Sequence, residues 1–191
     1  MRAGRDLTLA TERLVLEPLG PQHADDMWRA IAVSLGELRP WLMWAGDADP
    51  VQVAAFAETA AGLWDAGSDW VFALVHDGDV VGTVGLHRYD AQVQAAELGY
   101  WVSSEVAGQG LMTEAAEAVI DFAWTQLELH RIELHAAPAN EASVGVAEKL
   151  GFTREGLLRD GSRGADGWHD VYVFGLLASD RRGRMGTDHP S

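Results

Sequence analysis

The stretch that decides the fold is GYWVSSEVAGQGLMTEAA, Gly99 to Ala116. A β-rich run meets a Gly-x-Gly turn there and passes directly into an amphipathic helix. Met112, Ala116, Val119, Ala123 and Leu127 recur at helical spacing, so one apolar stripe packs the helix on a sheet with its N-terminus at the turn. The first N–H groups of a helix have no internal acceptor. Gly108 and Gly110 carry no side chain and accept positive φ, which lets those donors curl round an anion that the helix dipole also favours. A diphosphate suits such a turn, although tight turns also use glycine for steric reasons alone.

Working outward, residues 70–76, a turn at Asp77-Gly78, residues 80–88 and residues 95–102 read as an antiparallel meander. After the turn come a helix over 111–127, a strand over 131–136, a helix over 141–150 and a closing strand pair around a Gly/Asp loop. Before the meander, RLVLE at 13–17 is a strand closed by Pro18. Helical patterns then cover 21–31, 34–44 with Pro40 as a breaker, and 51–66. This order predicts an α/β (α+β) fold, with a central mixed, mostly antiparallel sheet of about seven strands flanked by helices. One domain is expected over 1–191, with a core over about 11–178 and polar tails at 1–10 and 180–191.

Composition narrows the function classes. The 191 residues are 48% hydrophobic, enough for a core without disulfide or metal staples, and there is no cysteine, which excludes a thiolate metal site and a cysteine nucleophile. No metal site is expected. A formal charge of −15 opposes nucleic acid and anionic membrane surfaces, and favours a cationic acceptor. The N-terminal segment MRAGRDLTLATERL lacks the apolar run of a signal peptide or membrane span, so a soluble, cytoplasmic protein is expected.

A second stretch, HRIELHAAPANEASVGVAEKLGF at 130–152, sets Asn140 and Ser143 at the head of the next helix. Strand, GxG, helix, strand, N-x-x-S, helix and GF in this order resemble the GNAT superfamily of N-acetyltransferases. TERLVLEPL at 11–19, Gly99-Tyr100-Trp101, GQGLMTEA at 108–115, NEASVGVAEKLGF at 140–152, and REGLLRDG with Asp170 and Tyr172 are similar to its ribosomal-protein-alanine (RimJ/RimL-like) and spermidine-type members. The resemblance spans about residues 11–178.

That resemblance implies a cofactor, a binding mode and a set of site residues. Acetyl-CoA would lie in a V-shaped β-splay along strand 95–102, with Trp101 and Val102 nearest the pantetheine. Its diphosphate would sit on Ala107, Gly108, Gln109, Gly110, Leu111, Met112 and Thr113. The family's loop carries Gln or Arg where this chain has Ala107, and a small residue where it has Met112, so the main chain would do the binding. Asn140 would stand near the cofactor. Ser143 matches the serine of the alanine-acetylating branch and is the candidate acid, since Ala147 occupies the position of the tyrosine many relatives use; Asn and Ser are equally common helix N-caps.

Glu97, between Ala96 and Leu98, and His135, five residues before Asn140, are rival candidates for the base. Asp160 and Asp170 are remoter ones, because the branch's own acidic position falls near Ser162. Trp41 and Trp44 belong to the segment that covers the acceptor in relatives, where an aromatic wall would hold a cationic amine, or they plug the core. Lys149, the only lysine, reads as an exposed helix residue, with a reach to a cofactor phosphate as the alternative. The expected activity is acetyl transfer to a protein N-terminus; a small cationic amine as acceptor, or a non-catalytic acyl-CoA sensor, are the alternatives. A homodimer is compatible with the resemblance, and no interface is legible.

Overall fold

The computed structural model describes residues 4–180; the tail expectations for 1–3 and 181–191 lie outside the described residues. The elements are β1 (Leu9–Ala10), β2 (Val15–Pro18), α1 (Ala24–Leu38), α2 (Pro50–Ala66), β3 (Trp70–His76), β4 (Asp79–Asp90), β5 (Ala95–Val102), α3 (Leu111–Thr125), β6 (Arg131–Ala136), α4 (Glu141–Leu150), β7 (Thr153–Gly164) and β8 (Gly167–Leu177). They build one eight-stranded sheet in the order β1-β2-β3-β4-β5-β6-β8-β7. Among the described strands only β5 and β6 run parallel, because α3 carries the chain back over the sheet between them. The Asp77-Gly78 hairpin turn forms as the sequence requires, with both residues at positive φ (53° and 93°).

Two local readings change. Residues 21–31 and 34–44 are not separate helices: α1 runs unbroken to Leu38, and only a short 3-10 turn, Met43–Gly46, follows Pro40. Nothing between Ile31 and Ser34 breaks a helix, and the buried Ser34 hydroxyl donates back to the Ala30 carbonyl at 2.7 Å. That hydroxyl also accepts the Ser104 N–H at 2.9 Å, tying α1 to the end of β5. Leu9 and Ala10, expected in a polar tail, pair with Leu16 and Val15 and extend the sheet by one short edge strand.

Strand alternation sorts the core into two layers. On one face Phe72, Leu98, Ile132 and Leu134 of the sheet share a core with Phe122 of α3; on the other Trp101 shares one with Met27 and Ile31 of α1 and Val53 of α2. Each fully buried side chain of this size contributes about 1.5–3 kcal/mol. Because Trp101 faces α1 and α2, Glu97 and Gly99 share its face, while Leu98, Tyr100 and Val102 face α3 and α4.

Candidate active site

The register of β5 creates the site. Its pairs with β6 are Ala95–Arg131, Ala96–Ile132 and Glu97–Glu133, and there the ladder ends. Beyond that point β5 stays paired to β4, through Leu98–Leu86 to Val102–Gly82, while β6 stays paired to β8 through Ala136–Tyr172. The two central strands therefore part, and one edge of residues 98–102 is left without a strand partner. A bare edge inside a sheet has donors and acceptors to offer an extended ligand.

The bend after β5 lies at the far end of this wedge. Gly108 and Gly110 both adopt positive φ, 76° and 82°, and Gly110 caps α3 with no side-chain bond. A Cβ on Gly108 would meet nothing within 4 Å, and one on Gly110 only the Arg13 guanidinium at 3.7 Å, so open space adjoins the bend. The N–H groups of Leu111, Met112 and Thr113 lack helical acceptors by their position in the first turn. Ala107 and Gln109 are exposed, whereas the Leu111 and Met112 side chains turn into the core. These residues fit a diphosphate, which they would meet through main-chain donors.

A clamp that sequence reading missed holds the bend. Arg13 Nη1 donates to the Gln109 carbonyl at 2.9 Å, and its Nε donates to Glu114 Oε2 at 2.7 Å. Glu114 also accepts from Thr11 Oγ1 at 2.6 Å and from the Arg13 N–H at 2.9 Å. Burial works against ionisation of Glu114, but the bonds from Thr11 and Arg13 outweigh it and hold the carboxyl below the usual glutamate range. The motif TERL thus stitches β1 and β2 to the first turn of α3.

Of the two candidate caps, Asn140 is the one that caps α4, its Oδ1 accepting the Ser143 N–H at 3.1 Å. The Ser143 hydroxyl is left free of capping and lies 2.9 Å from the hydroxyl of Tyr100 on β5. Burial pushes the Tyr100 phenol up to about 12, against the lowering effect of its bond to Ser143. Ala147 is fully buried. Tyr100 had a signal in the sequence: strand parity puts it on the face opposite Glu97, toward the helix that carries Ser143.

Glu97 and His135 are rivals in the sequence and neighbours in the structure. His135 Nδ1 stands 3.7 Å from Glu97 Oε1, and its Nε2 stands 3.6 Å from Glu133 Oε2. Glu97 is not set among apolar groups, since Arg88 Nη1 donates to its Oε2 at 2.8 Å. The chain of charges continues along this face from Glu133 to Arg131 at 2.9 Å and on to Glu155 at 2.8 Å. Hydrogen bonds to Glu155, opposed by burial and aided by Glu133, keep Arg131 firmly charged.

The two tryptophans of the acceptor segment part company. The Trp41 ring packs 5.7 Å from His169 on β8, away from Trp44. Trp44 meets Trp101 edge to face at 6.1 Å and lines a pocket of about 190 Å3 with Met27, Ile31, Val53 and Phe56. Asp160 is exposed and its N–H donates to Asp170 at 3.0 Å, in the β7–β8 hairpin; Lys149 is exposed on α4. Among the described residues no cluster of His, Cys, Asp or Glu could hold a metal, and no helix is long and apolar enough to cross a membrane.

A parted parallel strand pair inside an otherwise antiparallel sheet, closed at one end by a glycine bend and a helix N-terminus, defines an acyltransferase fold. Comparison with known proteins agrees. Residues 13–153 match the acetyltransferase (GNAT) domain. The Bacillus subtilis protein YdaF, whose name assigns it provisionally to the ribosomal N-acetyltransferases, is 32% identical over 90% of this chain and 95% of its own. The ribosomal-protein-serine acetyltransferase of Escherichia coli is 25% identical over 87% of this chain and 94% of its own. Among solved structures, Mycobacterium smegmatis RimJ in complex with CoA-disulfide superposes with a TM-score of 0.84 at 27% identity, covering 94% of this chain and 91% of that one. The chain belongs to the GNAT acetyltransferases, enzymes that draw their acetyl group from acetyl-CoA, and its relatives are of the RimJ/RimL type.

Proposed function

We propose that the chain moves the acetyl group of acetyl-CoA to the N-terminal α-amine of a protein by direct attack in a ternary complex. The observation that carries this reading is the end of the β5–β6 ladder at Glu97–Glu133, with the glycine bend at one end of the opening and the Tyr100–Ser143 pair beside it. Main-chain groups of residues 98–102, Trp101 and Val102 among them, would pair with the amides of the coenzyme's pantetheine arm. The main chain over 107–113 would hold the diphosphate, with Asn140 capping α4 beside the wedge. The names of the relatives support a protein amine as acceptor, and the net charge of −15 supports a cationic one in general.

In the reaction a carbon–nitrogen bond forms, the carbon–sulfur bond breaks, the amine gives up a proton and the departing thiolate takes one. An α-amine is the easier nucleophile, since its ordinary pKa of about 7.7–8 leaves more of it neutral at pH 7 than a lysine at about 10.4. Glu97 and His135, close enough to act together, would accept the amine proton directly or through water. Tyr100 stays protonated until pH is high, and where it donates to Ser143 Oγ the serine proton would be left to point at the sulfur. Neither hydroxyl is acidic enough to hand its proton outright to a thiolate of ordinary pKa near 8.5, so the Tyr100–Ser143 pair would act as a relay that hydrogen-bonds the departing sulfur and passes on the proton the amine gives up. The protein acts in the cytoplasm in this reading.

The deciding experiment is release of free thiol from acetyl-CoA with a panel of acceptors: peptides beginning with Ala, Ser or Met, spermidine and kanamycin. Turnover with peptides above the small amines is expected. Turnover with spermidine alone would move the acceptor to the polyamines, a class to which one relative belongs by name at 34% identity over 46% of this chain. No release with any amine, alongside tight coenzyme binding, would make the chain a sensor.

A further inference from the structure

We infer that the acceptor carries one large apolar or aromatic group close to its amine, and that the pocket between α1, α2 and Trp101 receives it. This rests on the reading of the chain as an amine acetyltransferase. Along β5, Glu97, Gly99 and Trp101 follow one another on the face turned away from α3 and α4. Gly99 is the second residue past the last β5–β6 pair, so it stands close to the apex of the wedge. An amine above Gly99 has the Glu97 carboxylate about 7 Å along the strand on one side and Trp101 about 7 Å along on the other. Gly99 has no side chain of its own, and the His87 imidazole leans over it, with Cδ2 3.1 Å from where a Cβ would stand, so an amine there lies against that ring.

From Trp101 the pocket opens. Its walls are the rings of Trp44, Phe56 and Trp101 and the side chains of Met27, Ile31 and Val53, and its volume is about 190 Å3. A dry cavity of roughly 150 Å3 with comparable aliphatic and aromatic walls is large enough to take up benzene, so this one has room for a single ring or a branched aliphatic group. Gln52 supplies an amide at the wall, and no charged side chain lines the pocket among the described residues. A second ammonium group, as in a polyamine or aminoglycoside, would be desolvated there with no counter-charge. The ammonium end of the acceptor belongs beside Glu97, and the apolar end belongs here. For a peptide, the separation corresponds to the side chain of the first or second residue.

The test compares Ala-Ala-Gly, Phe-Ala-Gly and Ala-Phe-Gly as acceptors, with calorimetric titration of phenethylamine and ethylamine as a readout that needs no turnover. One of the two phenylalanyl peptides is expected to exceed Ala-Ala-Gly in kcat/KM by about tenfold or more, and phenethylamine to bind about tenfold tighter than ethylamine. Phe56→Asp sets a charge on the pocket wall at a side chain already 43% exposed, so the fold tolerates it, and both ratios should fall toward one. Equal turnover of all three peptides with equal binding of both amines would overturn the inference and leave acetyl transfer standing. Tight phenethylamine binding that Phe56→Asp abolishes, with no peptide acetylated, would keep the pocket and sink the transfer reading. Ratios unmoved in a folded Phe56→Asp protein would place the preference elsewhere and overturn the inference.

Discussion

The hydroxyl of Tyr100 lies 2.9 Å from Ser143 Oγ, joining the strand that borders the wedge to the helix that closes it. Two residues 43 apart in the chain thus form one hydrogen-bonded pair, and the proposed function gives that pair the handling of a proton. Ser143→Ala should lower kcat by about tenfold to a hundredfold, with water partly replacing the hydroxyl, and change coenzyme affinity less than threefold or so. Tyr100→Phe should cost less, and the double variant about as much as Ser143→Ala alone, because members of a unit do not add. Thiol-release kinetics with calorimetry of coenzyme binding check all three.

The raised phenol carries a pH signature. A folded-state pKa of about 12 against an ordinary value near 10 means that the neutral form is favoured in the folded protein. The associated stability, on the order of 2 to 3 kcal/mol, is complete below about pH 10 and is lost as pH rises from about 10 to about 12. Denaturant midpoints measured across that window should fall more steeply for the wild type than for Tyr100→Phe. The tyrosinate absorbance missing from that variant should be the component that develops near pH 12.

Arg13→Ala removes the bond to the Gln109 carbonyl and the ion pair to Glu114, so the glycine bend loses its lateral support. Coenzyme affinity is expected to weaken about tenfold, with kcat at saturating coenzyme within about threefold of wild type. The Glu114 carboxyl, held below its ordinary range, contributes stability that is present above about pH 4.3 and disappears as pH falls through its lowered value. Glu114→Gln should flatten that acid limb in thermal melts recorded from about pH 6 to about pH 3.

Asn140 carries both a capping and a site assignment, and two substitutions part them. Asn140→Ala should cost about 1 kcal/mol of stability through the lost bond to the Ser143 N–H. Asn140→Asp restores an acceptor at the cap and should restore the melting temperature. It also sets a negative charge at the wedge, so coenzyme affinity should stay reduced. Melting curves and calorimetry on the same preparations decide the matter, and full recovery of affinity in Asn140→Asp would leave Asn140 a cap alone.

Much of the framework is legible because its signals are local. Apolar alternation gives β5 and β6 with the bounds observed, and the glycines at 108, 110 and 151 mark the bend and the end of α4. Segment 21–44 departs from expectation where a helical pattern with no breaker is divided in two. Pairings across the sheet are not legible. Glu97 and His135 look like rivals because only the parallel register of β5 and β6 makes them neighbours. Trp41 and Trp44 read as one wall, yet the irregular backbone after Pro40 sends one ring to His169 and the other to Trp101. The clamp of Arg13 on Glu114 spans 101 positions of chain, and no periodicity announces it.

The three residue pairs between Ala95–Glu97 and Arg131–Glu133 are the whole ladder joining a five-stranded block to a three-stranded one. We expect so short a seam to act as a pivot, a small rotation about it changing the width of the opening at Val102 several times more than at Leu98. Widening would release a spent coenzyme without unpairing any other strand, and narrowing would grip the next one along its length. Amide hydrogen exchange should therefore report slower exchange across residues 98–102 when coenzyme A is present, while β3 and the first half of β4 remain unchanged.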